Sequence, residues 1–329
     1  MGEFELLAKL RQRLPPAGSR VKLGSGDDAA VSLPGGATAT SVDAIVDGVH
    51  FRRGESGLET VGRKALATAL SDLAAMGAEA GEGYVVLGAP PDLGEEDLLA
   101  LLDGLLGLAT ATGTTIAGGD VTRAPVLTLA VTVVGHAPAA ENFVTRAGAR
   151  PGDVLVLTGE LGAAAAGRLL LDDPGIAAAV PTAAAERLRH RPLDPAPRLR
   201  SGQALASAGA RAMIDLSDGL AADAGHLARA SALGLEIDAG ALPLAKGVAE
   251  VAASVGREPL HLAVSGGEDY ELLAALPANR VEEAATAVGG AAETTLAPIG
   301  RVAQGEGVRI RLPGGASLEA GGYDHLAGT

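Results

Sequence analysis

At 329 residues the chain is too long for one ordinary core and suits two domains. A net charge of −14 excludes nucleic acid and anionic membrane surfaces, which need clustered Lys and Arg. The absence of cysteine excludes disulfides, thiolate metal sites and Cys nucleophiles, and fits a cytoplasmic setting.

In chain order, residues 1–14 read as a short amphipathic helix closed by Pro15-Pro16; Glu3, Glu5 and the lack of a basic start argue against a signal peptide. Residues 29–33 and 37–46 read as strands around a Pro-Gly-Gly turn. Residues 56–78 read as a helix, with Ser56 and Glu59 as a capping box and Gly77 at its end. Along it Leu58, Val61, Ala65, Leu66, Ala69, Leu70, Leu73 and Met76 recur at helical spacing. A strand at 84–88 and a helix at 94–112 follow; Asp103 and Gly104 interrupt that helix's apolar run, so it does not read as a membrane span. "TTIAGGD" reads as a strand running into a glycine turn, and residues 126–135 as a β-branched strand.

Gly and Pro punctuate residues 146–153, which sets the expected division into domains at 1–145 and 146–329. Beyond it, "VLVLTG" reads as a strand, "ELGAAAAGRLLL" as a helix, and "RAMIDLSDGLAADAGHLARASALG" as strand, turn and helix closed by Gly234. Residues 261–276 read as an apolar strand, a glycine turn and a second strand, and 307–312 as an exposed strand. Both halves are therefore mixed α/β.

Phosphate-binding loops of the familiar kinds are missing. "GSGDDA" would aim two carboxylates at a pyrophosphate and is followed by a strand; "GLETVGRK" has Arg63 and Lys64 where Lys and Ser/Thr are required. What remains is a scatter of carboxylates at element ends. Asp27 and Asp28 precede a strand, Asp43 lies on one, and Asp120 follows two glycines. Asp215 and Asp218 bracket a strand-to-helix turn, and Glu268, Asp269 and Glu271 follow "SGG". Asp72 shares a helix face with Lys64 and Thr68, and burying it in an Ala/Leu helix is costly unless it is paired or metal-bound. Singly, each has an ordinary explanation as a cap or turn residue; together, hard oxygen ligands converging from several elements suit Mg²⁺.

"EFELLAKL", "GSGDDAAV", "SVDAIVDGVHF", "ALSDLAAMGA", "GGDVTR", "TRAGARPGDVLVLTGELG", "IDLSDGL", "SGGEDYEL" and "GYDHL" occur in the order seen in thiamine-monophosphate kinases, and the resemblance runs nearly end to end. It implies phosphorylation of thiamine monophosphate to thiamine diphosphate by ATP with several Mg²⁺. It implies an aminoimidazole ribonucleotide synthetase-like fold: an N-terminal sheet-and-helix domain that dimerises, and a C-terminal α/β domain that completes the substrate cleft. Carried over by position, Asp28, Asp43, Asp72, Asp120 and Asp215 resemble the carboxylates that hold Mg²⁺ around the ATP phosphates, with Ser41 and Asp218 as further metal ligands. Gly119, Arg146 and Ser217 fall where the family meets nucleotide, and His50, Glu268 and Tyr323 where it meets thiamine phosphate.

Three departures stand out. Val42 replaces a Thr in the Ser-Thr-Asp pattern, "ATATGTT" lacks a Tyr that many members carry before the "GGD" turn, and Leu326 replaces a Phe. The acceptor is itself an anion, so the chemistry implied is positioning and charge neutralisation without a strong base or a phosphoenzyme. Arg146 would clamp phosphate oxygens and Tyr323 would lay a ring on the cationic thiazolium. Other readings are a different ATP-dependent member of the superfamily, a catalytically silent nucleotide-binding scaffold, and a plain acidic Mg²⁺-binding module.

Overall fold

A computed structural model describes residues 3–25, 29–292, 294–312, 314 and 316–318. The chain forms two compact units, residues 1–73 with 78–143, and residues 74–77 with 144–329.

The first unit contains α1 (Glu3–Arg13), β1 (Val21–Leu23), β2 (Val31–Ser32), β3 (Ala37–Val46), α2 (Leu58–Ala75), β4 (Glu79–Ala89), α3 (Glu95–Thr112), β5 (Thr115–Arg123) and β6 (Thr128–Ala137). β1 and β2 form a small antiparallel ribbon. The main sheet runs β3-β6-β4-β5, antiparallel except for the β4/β5 pair, whose parallel sense requires the crossover that α3 supplies. Strand alternation buries Leu129, Val131 and Val133 on one face and leaves Val42 and Val86 exposed, at 65% and 46%.

α2 and α3 approach backbone to backbone. A Cβ on Gly62 would lie 1.8 Å from the Leu101 carbonyl oxygen, and one on Gly104 would lie 1.7 Å from that of Glu59. Gly104 thus sits inside an unbroken α3 because nothing larger fits at the crossing. Two details depart from expectation. α2 starts at Leu58 with the Gly57 carbonyl receiving the amides of Thr60 and Val61, while Ser56 bridges to Arg53, so no Ser56 capping box forms. β5 also continues through Gly118-Gly119-Asp120 to Arg123 where a turn was expected. Gly119 makes this possible, since its Cβ would lie 2.1 Å from the Val85 carbonyl oxygen.

The second unit contains β7 (Val154–Thr158), α4 (Ala163–Asp172), α5 (Thr182–His190), α6 (Leu199–Ser207), β8 (Ala212–Asp215), α7 (Leu220–Ser231), β9 (Gly234–Asp238), α8 (Val248–Ser254), α9 (Pro259–Ser265), β10 (Leu272–Leu276), α10 (Val281–Ala292), β11 (Leu296–Ala303), β12 (Gly307–Arg311) and β13 (Ser317–Leu318). Its sheet runs β13-β12-β9-β11-β7-β10-β8, with β9 and β12 parallel. Leu155, Leu157, Ile214, Leu235, Ile237 and Leu273 form its core with Leu220, Ala224 and Leu227 of α7. A second cluster joins α4, α5 and α8 through Leu170, Leu188, Val248 and Val251.

Residues 261–265, expected as a strand, form the end of α9. Pro259 occupies its first turn, and so short an apolar run carries no period that separates the two states. α7 closes at Ala232 in the left-handed region, leaving Gly234 to open β9.

The two glycines of α3 give a paired test. Gly104→Ala places a methyl against backbone and should cost roughly 1–3 kcal/mol, as overpacking does. Gly107→Ala, with nothing within 4 Å of its Cβ, should gain about 0.5–1 kcal/mol from helix propensity. Urea denaturation of the two variants reads both signs.

Candidate active site

In the first unit, β3 alternation puts Ser41 and Asp43 on one face, opposite Val133 and Val131 of β6, and sends Val42 to the other. The Ser41 hydroxyl donates to the Asp72 carboxylate on α2. One turn and two turns earlier on α2 lie Thr68 and Lys64, both buried. Lys64 Nζ donates to the His50 carbonyl at 2.7 Å. His50 Nδ1 accepts the Val46 amide at 3.1 Å, so a neutral His50 carries its proton on Nε2 and presents a donor there. Asp43 Oδ1 accepts the Ala44 amide at 2.8 Å. Arg53, not singled out from the sequence, braces the adjoining turn by binding Asp47 and Asp92, each at 2.8 Å.

Asp120 does not join Ser41 and Asp72. It is exposed and pairs in register with Val86, one row out of phase with Asp43, whose row runs through Val131 and Val85 to Gly119. Gly119 and Asp120 instead border a cavity of about 170 Å³ whose walls include Leu98, Leu102, Leu105, Ile116 and Val121. Asp28 and Tyr323 lie outside the described residues.

In the second unit, β8 ends at the buried Asp215 and a turn leads into α7. Asp223, one turn into α7, accepts the Asp218 amide at 3.0 Å. The ligand atoms of Asp218, Asp223 and His226 all lie within 4.8 Å of one another. Burial, then the anions of Asp215 and Asp218, push the Asp223 carboxyl up to about 7. Burial and then the cations of Arg229 and Arg146 lower the His226 imidazole, which places Arg146 beside this cluster. Asp223 and His226 escaped the sequence reading, although a buried Asp in an Ala/Leu helix was the signal that picked out Asp72.

"SGGEDYEL" is laid against "IDLSDGL" by backbone bonds: Glu268 N to Ser217 O, Tyr270 N to Leu216 O and Leu216 N to Glu271 O, each 2.8 Å. A Cβ on Gly267 would lie 2.5 Å from Ser217 O, so glycine is required for the two segments to touch. Glu268 and Tyr270 adopt positive φ, 66° and 49°, a strained backbone held by its surroundings and typical of functional loops. The segment divides its acids. Glu268 adjoins Ser217, whereas Asp269 accepts the amides of Gly162 and Ala164 at the start of α4, at 2.8 and 3.2 Å. Glu271 is buried among Thr158, Arg191 and Arg198.

Comparison with known proteins shows the family. The AIR synthase related protein N-terminal domain matches residues 26–137 and the corresponding C-terminal domain matches residues 150–313. A thiamine-monophosphate kinase of Halobacterium salinarum is 39% identical over 92% of this chain and 94% of its own. That of Escherichia coli K12 is 37% identical over 99% and 98%. The chain belongs to the thiamine-monophosphate kinase family. The crystal structure of the Stenotrophomonas maltophilia K279a member superposes with a TM-score of 0.83 at 35% identity, over 94% of this chain and 96% of that one. The structure described as AaThiL complexed with AMPPCP and TMP has a TM-score of 0.76 at 28% identity, over 99% and 97%. Hydrogenase maturation protein HypE, at 20% identity and a TM-score of 0.74, shares the fold alone.

The donor chemistry suits a hard divalent cation. Ser41, Asp43 and Asp72 offer only oxygen, and the crowding that raises Asp223 is the repulsion a cation would relieve. Asp269 supplies a pH test away from these groups. Burial pushes it up to about 7, so its contribution to stability is present below about pH 4 and is lost as pH rises through 7. Thermal melts should therefore show the wild type losing stability relative to Asp269→Asn between pH 4.5 and 8.

Proposed function

We propose that this chain transfers the γ-phosphoryl group of ATP to thiamine monophosphate, giving thiamine diphosphate and ADP, with several Mg²⁺. The observation that carries this reading is the end-to-end similarity to a relative solved with an ATP analogue and TMP. It gains support from a chain that keeps the Ser41–Asp72 contact and the Asp43 face.

Ser41, Asp43 and Asp72, with Asp28, Asp215 and Asp218, would hold the metal ions, which would supply neutralisation of the phosphate charge, and Asp120 would bind metal separately, beside the cavity it borders. The residues do the rest by position. Ser41 fixes the rotamer of Asp72, and Asp223 fixes the backbone of Asp218. Arg146, Ser217 and Gly119 contact the nucleotide. The aliphatic cavity beside Gly119 and Asp120 takes the adenine by apolar contact in place of ring stacking. His50 donates from Nε2 to the acceptor phosphate, while Glu268 and Tyr323 meet the thiamine. No residue is needed as a strong base, because the acceptor oxygen is already anionic; transfer is in line, without a phosphoenzyme. The enzyme acts in the cytosol as a homodimer, joined through the exposed sheet face that carries Val42 and Val86.

Purified protein with ATP, Mg²⁺ and thiamine monophosphate should form thiamine diphosphate, read by chromatography, and Asp72→Asn should lower kcat by roughly 10²-fold or more. ADP release without thiamine diphosphate would overturn the choice of acceptor. Val86→Asp should shift the protein toward monomer in sedimentation; an unchanged dimer would move the interface elsewhere.

A further inference from the structure

A cavity of about 510 Å³ lies in the second unit between the start of α4, the end of α5 and the start of α6, and Asp215, Asp218 and Glu268 are not among its lining residues. On a chain of net charge −14 its walls carry four cations, Arg187, Arg191, Arg198 and Lys246, against three carboxylates, Glu160, Asp194 and Glu271.

The deepest of these groups are built in. Glu271 is 1% exposed and accepts from Thr158 Oγ1 at 2.7 Å, Arg191 Nη2 at 2.6 Å and Arg198 Nε at 2.7 Å, with Arg198 Nη2 on its other oxygen. Arg191 Nη2 also reaches the Asp269 carbonyl at 2.9 Å. One carboxylate thus anchors two guanidiniums and neutralises one.

Both guanidiniums keep donors in hand. Each offers five N–H groups, and the bonds just described use only Nη2 of Arg191 and Nε and Nη2 of Arg198. Their remaining nitrogens are not among the buried unsatisfied atoms of the described residues, and both side chains line the cavity. At the rim, the exposed side chains of Arg187 and Lys246 make no ion pair among the described residues. Fixed forks and a point charge arriving from different elements match an acceptor whose oxygens point in several directions, as in a tetrahedral phosphate, better than a flat carboxylate. The geometry points to a binding site for a small phosphate-bearing anion, distinct from the phosphoryl-transfer residues.

The test is calorimetric titration of the full-length protein with inorganic pyrophosphate in EDTA, where metal-dependent phosphate binding is silent. Expected is uptake of about one pyrophosphate per chain. It should weaken at least tenfold in the surface variant Arg187→Ala/Lys246→Ala, whose melting temperature stays at the wild-type value, and persist in Asp72→Asn. No uptake by the wild type, undiminished uptake by the double variant, or loss in Asp72→Asn would each overturn the site. Equally tight binding of malonate would overturn its assignment to phosphate.

Discussion

A carboxylate taken out of water must be answered by donors or by positive charge, and that constraint orders this strongly acidic chain. Where the acid is architectural, the protein answers it. Arg211 meets Asp153 at 2.6 Å, His136 meets Glu82 at 2.8 Å, two amides of α4 meet Asp269, and two arginines meet Glu271. Asp215, Asp218 and Asp223 lie close together, and Asp223 is raised to about 7 by burial first and then by the anions of Asp215 and Asp218. Burial raises Asp269 and Asp223 alike, to about 7; what differs is the company, backbone amides around Asp269 and further carboxylates around Asp223.

Close backbone approach is the second constraint, and it explains much of the glycine. The α2/α3 crossing, the passage of β5 beside Val85 and the seating of "SGG" on Ser217 each bring a carbonyl within 2.5 Å of where a Cβ would stand. These contacts fix the carriers of the site. α2 carries Asp72, β5 carries Asp120, and the strained Glu268–Tyr270 backbone carries the acid beside Ser217.

Elements with a long, single period were legible in the sequence: β3 spans residues 37–46 as read, and α3 falls within a residue of the expected 94–112. What escaped was whatever depends on neighbours. Residues 261–265 are helical because Pro259 opens a turn that packs on the second unit's core, which the local pattern does not encode. β5 runs on through Gly118-Gly119 because β4 lies close, where the sequence alone showed only a breaker. Asp269 turns to the start of α4 while Glu271 turns to Arg191 and Arg198, in a segment with positive φ at Glu268 and Tyr270 that no local pattern encodes. Asp223 and His226 become visible only when α7 brings them beside Asp218.

The departures from the family pattern take their meaning from the same geometry. Val42 sits between Ser41 and Asp43 on β3, but alternation turns it to the opposite face, so the Ser41–Asp72 contact does not involve its side chain. Loss of a Thr hydroxyl there leaves the oxygen donors of the inner face in place and adds apolar area to the outer one. Likewise, among the described residues no aromatic ring lines the cavity beside Gly119 and Asp120; leucines of α3 with Ile116 and Val121 of β5 line it instead. In the function proposed, such an aliphatic wall would exclude water from a flat base, with burial supplying what stacking would otherwise contribute. Both substitutions change how a surface is made while leaving its sign, apolar or anionic, as the chemistry requires.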